Sequence, residues 1–189
     1  MIAYTMNEKK GEMDSLLTQL ADKLMDAGHK VAGLVQINTD RVYDHRCDMD
    51  VRVLPHVSVL RISQSLGKHA RGCRLDTNAL ETAIGEVERS LTSRTDILIV
   101  NKFGKLEAEG RGFRPVIAKA VLLGVPVICG VNALNQGAFE AFSEGSAEKI
   151  ESSLSNLLNW CQFGGTALHR PEEVATLSSL QQPLAPLPQ

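Results

Sequence analysis

The chain has 189 residues, of which 43% are hydrophobic and 22% charged, with a formal net charge of −2. That length supports one domain with a full core and a short appendage, and the balanced charge excludes a polybasic binder of nucleic acid or membrane surface. No apolar run approaches the roughly 20 residues that cross a bilayer, and the opening Met1-Ile2-Ala3-Tyr4-Thr5 runs into polar Asn7-Glu8-Lys9-Lys10 rather than a signal-peptide core. A cytoplasmic protein without nucleic-acid or membrane partners is expected. The four cysteines, Cys47, Cys73, Cys129 and Cys161, form no CxxC pair and are read as free thiols. Cys129 and Cys161 sit in apolar contexts that suit core packing, whereas Cys47 and Cys73 stand among charges.

In chain order, residues 2–6 predict a short strand and residues 7–14 a polar loop. Leu16, Leu17, Leu20, Ala21, Leu24 and Met25 recur at three- and four-residue intervals and predict a helix that Gly28 stops. Residues 31–35 predict a second strand, completing a βαβ-sized unit. Residues 51–54 and 58–62 predict two short strands around Pro55-His56, an antiparallel hairpin insertion at about 45–75. A helix over 76–92, a buried strand over 96–100, a glycine-punctuated loop over 101–112, a helix over 115–123 and a buried strand over 125–131 follow. Residues 138–143 and 147–161 predict helices, and the Pro-, Ser- and Gln-rich residues from 164 to 189 a loosely ordered tail after a domain spanning 1–163. Alternating helices and near-continuously apolar strands predict a mostly parallel sheet covered on both faces. Ligands in such folds lie at the carboxyl ends of the strands, which selects the loops 7–14, 36–50, 101–112 and 132–137.

The first of these loops has the place of a phosphate-binding loop. A working loop reads GxxxxGK[ST], in which backbone N–H groups and the Lys cradle phosphate and the hydroxyl holds magnesium. Here Lys9-Lys10-Gly11-Glu12-Met13-Asp14-Ser15 offers Ser15 as the hydroxyl and Asp14 where Lys belongs, with Lys9 or Lys10 as substitute charge and Gly11 for the turn. The simpler alternative is a solvated loop in which Asp14 or Ser15 caps the helix. The strand over 96–100 ends in Asn101-Lys102, where a phosphohydrolase of this plan carries a magnesium-holding acid and a water-activating acid. An amide and an ammonium do not replace two carboxylates.

The run Asn101-Lys102-Phe103-Gly104-Lys105-Leu106-Glu107-Ala108-Glu109-Gly110-Arg111-Gly112 resembles the signature of a bacterial domain family of unknown function. Gly33-Leu34-Val35-Gln36, Cys47-Asp48-Met49-Asp50, Ile62-Ser63-Gln64 and Gly72-Cys73-Arg74-Leu75-Asp76 resemble it too, so the likeness covers about residues 2–161. More remotely the plan is similar to the small P-loop nucleoside-triphosphatases, whose corresponding strand ends Asp-Glu-Ile-Gly. This chain keeps Gly104 and Leu106-Glu107 and departs at both acids. The resemblance implies a three-layer, P-loop-NTPase-like α/β fold, adds Gln36 to the candidate site, and carries an association with molybdate-uptake genes.

Two stretches concentrate positive charge: Lys68, His69, Arg71 and Arg74, and Lys102, Lys105, Arg111 and Arg114. Brought together they would suit phosphate, molybdate or tungstate; pairing with Glu107, Glu109 and Asp76, or plain solvation, is the alternative. His45, Cys47, Asp48 and Asp50, with Cys73, form a weak candidate set for zinc or a similar ion, more simply read as structural or solvated residues. No cofactor is required by the sequence, with magnesium or zinc left open.

These residues lead first to a degenerate P-loop-like protein that binds a small anion, whether nucleotide, phosphate or an oxyanion such as molybdate, without ordinary nucleoside-triphosphate hydrolysis. An atypical nucleoside-triphosphatase or phosphotransferase drawing its acids from Asp14, Glu107 and Glu109 is the second reading. A non-catalytic scaffold dimerising through the hairpin is the third.

Overall fold

The structure is a computed structural model that describes residues 1–9, 11–41, 44–56, 58–64 and 74–164, with the side chains of 38–41, 44–47 and 163–164 outside that description. The elements run β1 (Ile2–Thr5), α1 (Glu12–Asp26), β2 (Val31–Arg41), β3 (Asp44–Leu54), β4 (Val59–Arg61), α2 (Thr77–Ser90), β5 (Ile97–Phe103), α3 (Lys105–Ala108), α4 (Arg114–Leu122), β6 (Val127–Val131), α5 (Gln136–Phe142), β7 (Glu148–Ile150) and α6 (Leu154–Asn159). One seven-stranded sheet has the order β4-β3-β2-β5-β6-β1-β7. Strands β2, β5, β6, β1 and β7 are parallel, and β3 and β4 extend the β2 edge antiparallel.

Every residue of β1 and β6 is buried, and all of β5 except Lys102. This is the apolar run that a sheet with two covered faces requires. On one face Leu17, Leu20, Ala21 and Leu24 of α1 and Leu157 of α6 pack on Val31, Val35, Ile97, Ile99 and Ile128. On the other, Ala83, Ile84 and Val87 of α2, Val116, Ile117 and Ala120 of α4 and Phe139 of α5 pack on Leu34, Leu98, Val100 and Cys129. The sheet closes tightly between β2 and β5 because Gly33, at φ 134, carries no Cβ to meet the Ile99 carbonyl.

The chain leaves β1 toward the α1 face and leaves β6, its neighbour, toward the α5 face. The crevice between strands whose crossovers diverge is where open α/β sheets place ligands. The three-layer α/β plan with an added antiparallel pair is the expected one. Three local expectations are corrected. Residues 101–112 are not a single loop: β5 runs on to Phe103 and α3 takes up Lys105–Ala108. Residues 36–50 are not a loop: β2 continues to Arg41 and β3 returns from Asp44, pairing Gln36 with Val51 and Thr39 with Asp48. The hairpin therefore begins well before residue 45, because backbone pairing with β3 carries β2 past the end of its apolar run at Val35. Residues 147–161 are not one helix: Glu148–Ile150 pairs parallel with β1 before α6 starts at Leu154. A three-residue edge strand with one buried residue leaves too little periodicity to read. The segment from 165 to 189 lies outside the described residues.

Candidate functional site

The register of β5 against β6 shifts between Val100, opposite Cys129, and Phe103, opposite Val131. Two residues, Asn101 and Lys102, thus face the single Gly130, which is a β-bulge. Gly130 has to be glycine here, since a Cβ would strike the Asn101 carbonyl and crowd Met13 Cγ at 3.1 Å. Regular alternation would send Asn101 and Lys102 to opposite faces; the bulge lets both reach the start of α1. Asn101 Nδ2 donates to Asp14 Oδ1 at 2.8 Å and Lys102 Nζ lies 3.2 Å from the same oxygen. Lys102 Nζ also donates to Gln36 Oε1 at 3.4 Å. Asp14 and Asn101 are buried, while the Lys102 side chain is 48% exposed. The two departures noted in the sequence, an acid in the first motif and Asn-Lys in the second, are therefore one interaction.

The loop after β1 is held by its own side chains. Asn7 accepts from the Lys9 N–H and donates to Glu12 Oε2 at 2.9 Å, and Lys9 Nζ pairs with Glu12 Oε1 at 3.2 Å. The Asn7 amide and the Lys9 ammonium hold the Glu12 carboxyl below its usual range. Gly11, at φ 81, is the residue before the helix, and neither Asp14 nor Ser15 caps it. Ser15 is exposed and accepts from Gln19 Nε2, facing along the helix rather than into the crevice. Lys10 lies outside the described residues.

A cavity of about 350 Å³ opens over the carboxyl end of β5 and the adjoining part of β2 at Leu34 and Gln36. Strand β6 separates it from β1, so it is displaced from the loop over 6–11. Its wall is apolar, with Leu34, Val51, Ile62, Leu80, Leu106 and Phe113, and its rim carries Lys102, Lys105, Glu109 and Arg111. Lys105 and Arg111 both pair with Glu109, at 3.6 and 2.6 Å, which holds that carboxyl below its usual range, the Arg111 hydrogen bond having the larger effect. Of the remaining expected cations, Arg114 stacks on Phe142 at 4.6 Å, Arg74 lies 3.6 Å from Asp48, and Lys68, His69 and Arg71 are outside the described residues.

Glu107 has an internal job that the sequence did not signal. It is buried, and its two carboxylate oxygens accept the N–H groups of Gly104 at 2.8 Å and Phe113 at 3.0 Å, bracing the turn around α3. Asp76 caps α2 by accepting the Ala79 N–H at 3.0 Å. Asp48 and Asp50 are buried on β3 and engage Arg61 at 3.0 and 2.9 Å. Both thus share one guanidinium, and no cluster of three or more His, Cys, Asp or Glu suited to a metal occurs among the described residues. Cys73 and the side chains of His45 and Cys47 lie outside that description.

Cys129 and Cys161 are free and buried. Burial pushes both thiols up, Cys161 to about 12 and Cys129 further. Only the thiolate alkylates, so neither should react with iodoacetamide at pH 8 in the native protein. Labelling of both in denaturant but not before, read by peptide mass spectrometry, is the expected outcome.

No helix among the described residues is long and apolar enough to cross a membrane. The fold is similar to that of the crystal structure of THEP1 from the hyperthermophile Aquifex aeolicus, with a TM-score of 0.54, 14% identity, and coverage of 90% of this chain and 100% of that one. The sequence is 32% identical over 141 residues to the molybdenum import ATP-binding protein ModC 2 of Bradyrhizobium diazoefficiens. That match covers 75% of this chain but spans only 15% of the relative. A family model described as a protein of unknown function, DUF2478, matches residues 2–160, and the chain belongs to that family.

Proposed function

We propose that this domain binds a small anionic ligand at the carboxyl end of β5 and the adjoining part of β2, and does not hydrolyse nucleoside triphosphates by the ordinary magnesium-dependent route. The observation that carries this reading is the buried Asp14–Asn101 hydrogen bond, with Lys102 on the same oxygen. In a working P-loop the second glycine immediately precedes the helix, followed by Lys and Ser or Thr. Gly11 has that position here, so the count places Met6 at the first glycine, Glu12 at the Lys and Met13 at the hydroxyl, two residues earlier than the register ending at Ser15. Carboxylates at Glu12 and Asp14 in the first turn of α1 repel a triphosphate. The thioether of Met13 does not suit Mg²⁺, which takes oxygen ligands and favours carboxylates, and Asn101 offers a neutral amide where a carboxylate would neutralise the ion. The residues present do not fit a magnesium–triphosphate.

Positive charge lies instead at the cavity rim, on Lys102, Lys105 and Arg111. The fold it shares with THEP1 and the ATP-binding and molybdenum-import name of its relative support nucleotides and oxyanions as ligand classes to test. With Mg²⁺ present, ATP and GTP should release phosphate no faster than background. A turnover on the order of 1 s⁻¹, ordinary for an enzyme, that disappears in Lys102→Ala would overturn the reading. Thermal unfolding against nucleotides, phosphate, molybdate and tungstate tests the binding half. An anion at about 100 times its Kd stabilises by about 2.7 kcal/mol, which for a domain of this size is roughly 5–10 °C. That shift should fall in Lys102→Glu and in Arg111→Ala.

A further inference from the structure

We infer that the cavity over β2 and β5 takes an organic anion with an apolar body, its ring or short chain among Leu34, Val51, Ile62, Leu80 and Phe113 and its phosphate or carboxylate at Lys102, Lys105 and Arg111. The inference rests on the anion-binding reading above and narrows its ligand. A volume of about 350 Å³ is far more than a bare oxyanion fills, and it lies within the roughly 300–1,000 Å³ of small-molecule sites. An inorganic anion would also gain nothing from apolar walls, whereas a ring buried there leaves water.

The charge at the mouth sets the size of the head group. Among the residues lining the cavity, the three cations Lys102, Lys105 and Arg111 face the two carboxylates Glu107 and Glu109, which leaves one positive charge in the lining; Asp14, outside the lining, holds Lys102 from behind. Lys102 is half exposed and divided between Asp14 and Gln36, and an anion at the rim can draw it without moving the backbone. The first turn of α2 contributes Thr77 to the wall, and the Asp76 carboxylate already caps that helix end, so the anion is held by the rim cations.

A nucleobase fits this wall poorly. Its edges carry several donors and acceptors, and each one buried without a partner costs affinity. Among the described residues, the uncharged polar side chains of the wall are Gln36, Thr77 and Asn101. Asn101 gives its amide N–H to Asp14, and Gln36 gives its oxygen to Lys102. What remains includes Asn101 Oδ1, buried and without a hydrogen-bond partner among the described residues. One donor on the ligand would satisfy it, and the hydrogen-bonding edge of a purine would not be satisfied by so few groups. The wall thus selects an aryl or alkyl body with at most one or two polar atoms over a purine nucleotide.

Calorimetric titration of the full chain with 1-naphthyl phosphate, inorganic phosphate, 1-naphthol and AMP tests this. The expected result is 1-naphthyl phosphate binding at least tenfold more tightly than either inorganic phosphate or AMP, with 1-naphthol weaker than its phosphate. Leu80→Trp, at a partly buried position on the wall, should erase the naphthyl advantage and leave inorganic phosphate unchanged. Thr77→Trp, at the exposed mouth, serves the same purpose if the first variant unfolds. Arg111→Ala should weaken both phosphates severalfold and leave 1-naphthol unchanged. Equal affinity for naphthyl and inorganic phosphate, or full naphthyl phosphate binding in folded blocking variants, would overturn the inference while the anion reading stands. AMP binding more tightly than naphthyl phosphate would overturn it in favour of a nucleotide. If neither phosphate binds, the anion reading falls with it.

Discussion

Asp14→Ala is expected to lower the melting temperature by about 6–12 °C. Removing the carboxylate strands the buried Asn101 amide and leaves the Lys102 ammonium without its 3.2 Å partner. Breaking one side of a buried charged pair costs about 3–5 kcal/mol, and the half exposure of Lys102 places this case near the lower figure. At about 2–4 °C per kcal/mol for a domain of this size, that gives the stated range. Asp14→Asn should cost less, because an amide oxygen still accepts from Asn101. Lys102→Ala should cost about 1–3 kcal/mol, since it takes the ammonium from a carboxylate that stays buried while Asn101 still donates to it. Circular dichroism melts of the three variants check the order. A melt of Asp14→Ala unchanged from wild type would mean that the carboxylate is held for a ligand and not for the fold.

Gly33→Ala is expected to be the most damaging single-methyl change in the sheet, destabilising by more than about 4 kcal/mol, a range reserved for specific mechanisms. The added Cβ lands on the backbone of Ile99 in the neighbouring strand, and φ 134 is a conformation that residues other than glycine avoid. Neither strand can yield, because β2 and β5 are paired at Val31–Ile97 through Leu34–Val100. Gly85→Ala supplies the control. It lies inside α2, where a Cβ meets only Arg89 Nη1 at 3.7 Å, and replacing a helical glycine should stabilise by up to about 1 kcal/mol. Soluble yield and urea unfolding of the two alanine variants should move in opposite directions, and a Gly33→Ala protein as stable as wild type would show that the two strands can part.

The periodic helices and the unbroken apolar strands were legible along the chain, because each records in its own residues which face is buried. So the α/β class, the parallel sheet and the carboxyl edge as the place of Asn101, Lys102, Lys105 and Arg111 follow from sequence. The long β2–β3 pairing was not legible. At the margin of a sheet, polar Gln36 and Asp48 still pair through the backbone, so the residue types there show no apolar alternation to mark a strand. The phosphate-loop register was also out of reach, since it depends on where β1 ends and α1 begins, and the sequence held no second glycine and lysine to mark it.

What only the tertiary structure decided is which side chains meet. Asp14 and Asn101 are 87 residues apart, and composition marked each as a loss: a carboxylate where a lysine belongs, and an amide where a carboxylate belongs. The bulge opposite Gly130 turns the two losses into one hydrogen-bonded pair, and Lys102 joins it from the adjacent position. Glu107 likewise reads as an available acid until two backbone N–H groups are found to occupy it. Sequence periodicity reports local burial, whereas the partner of a buried polar group is set by strand order and register, and those are fixed only when the whole sheet has assembled.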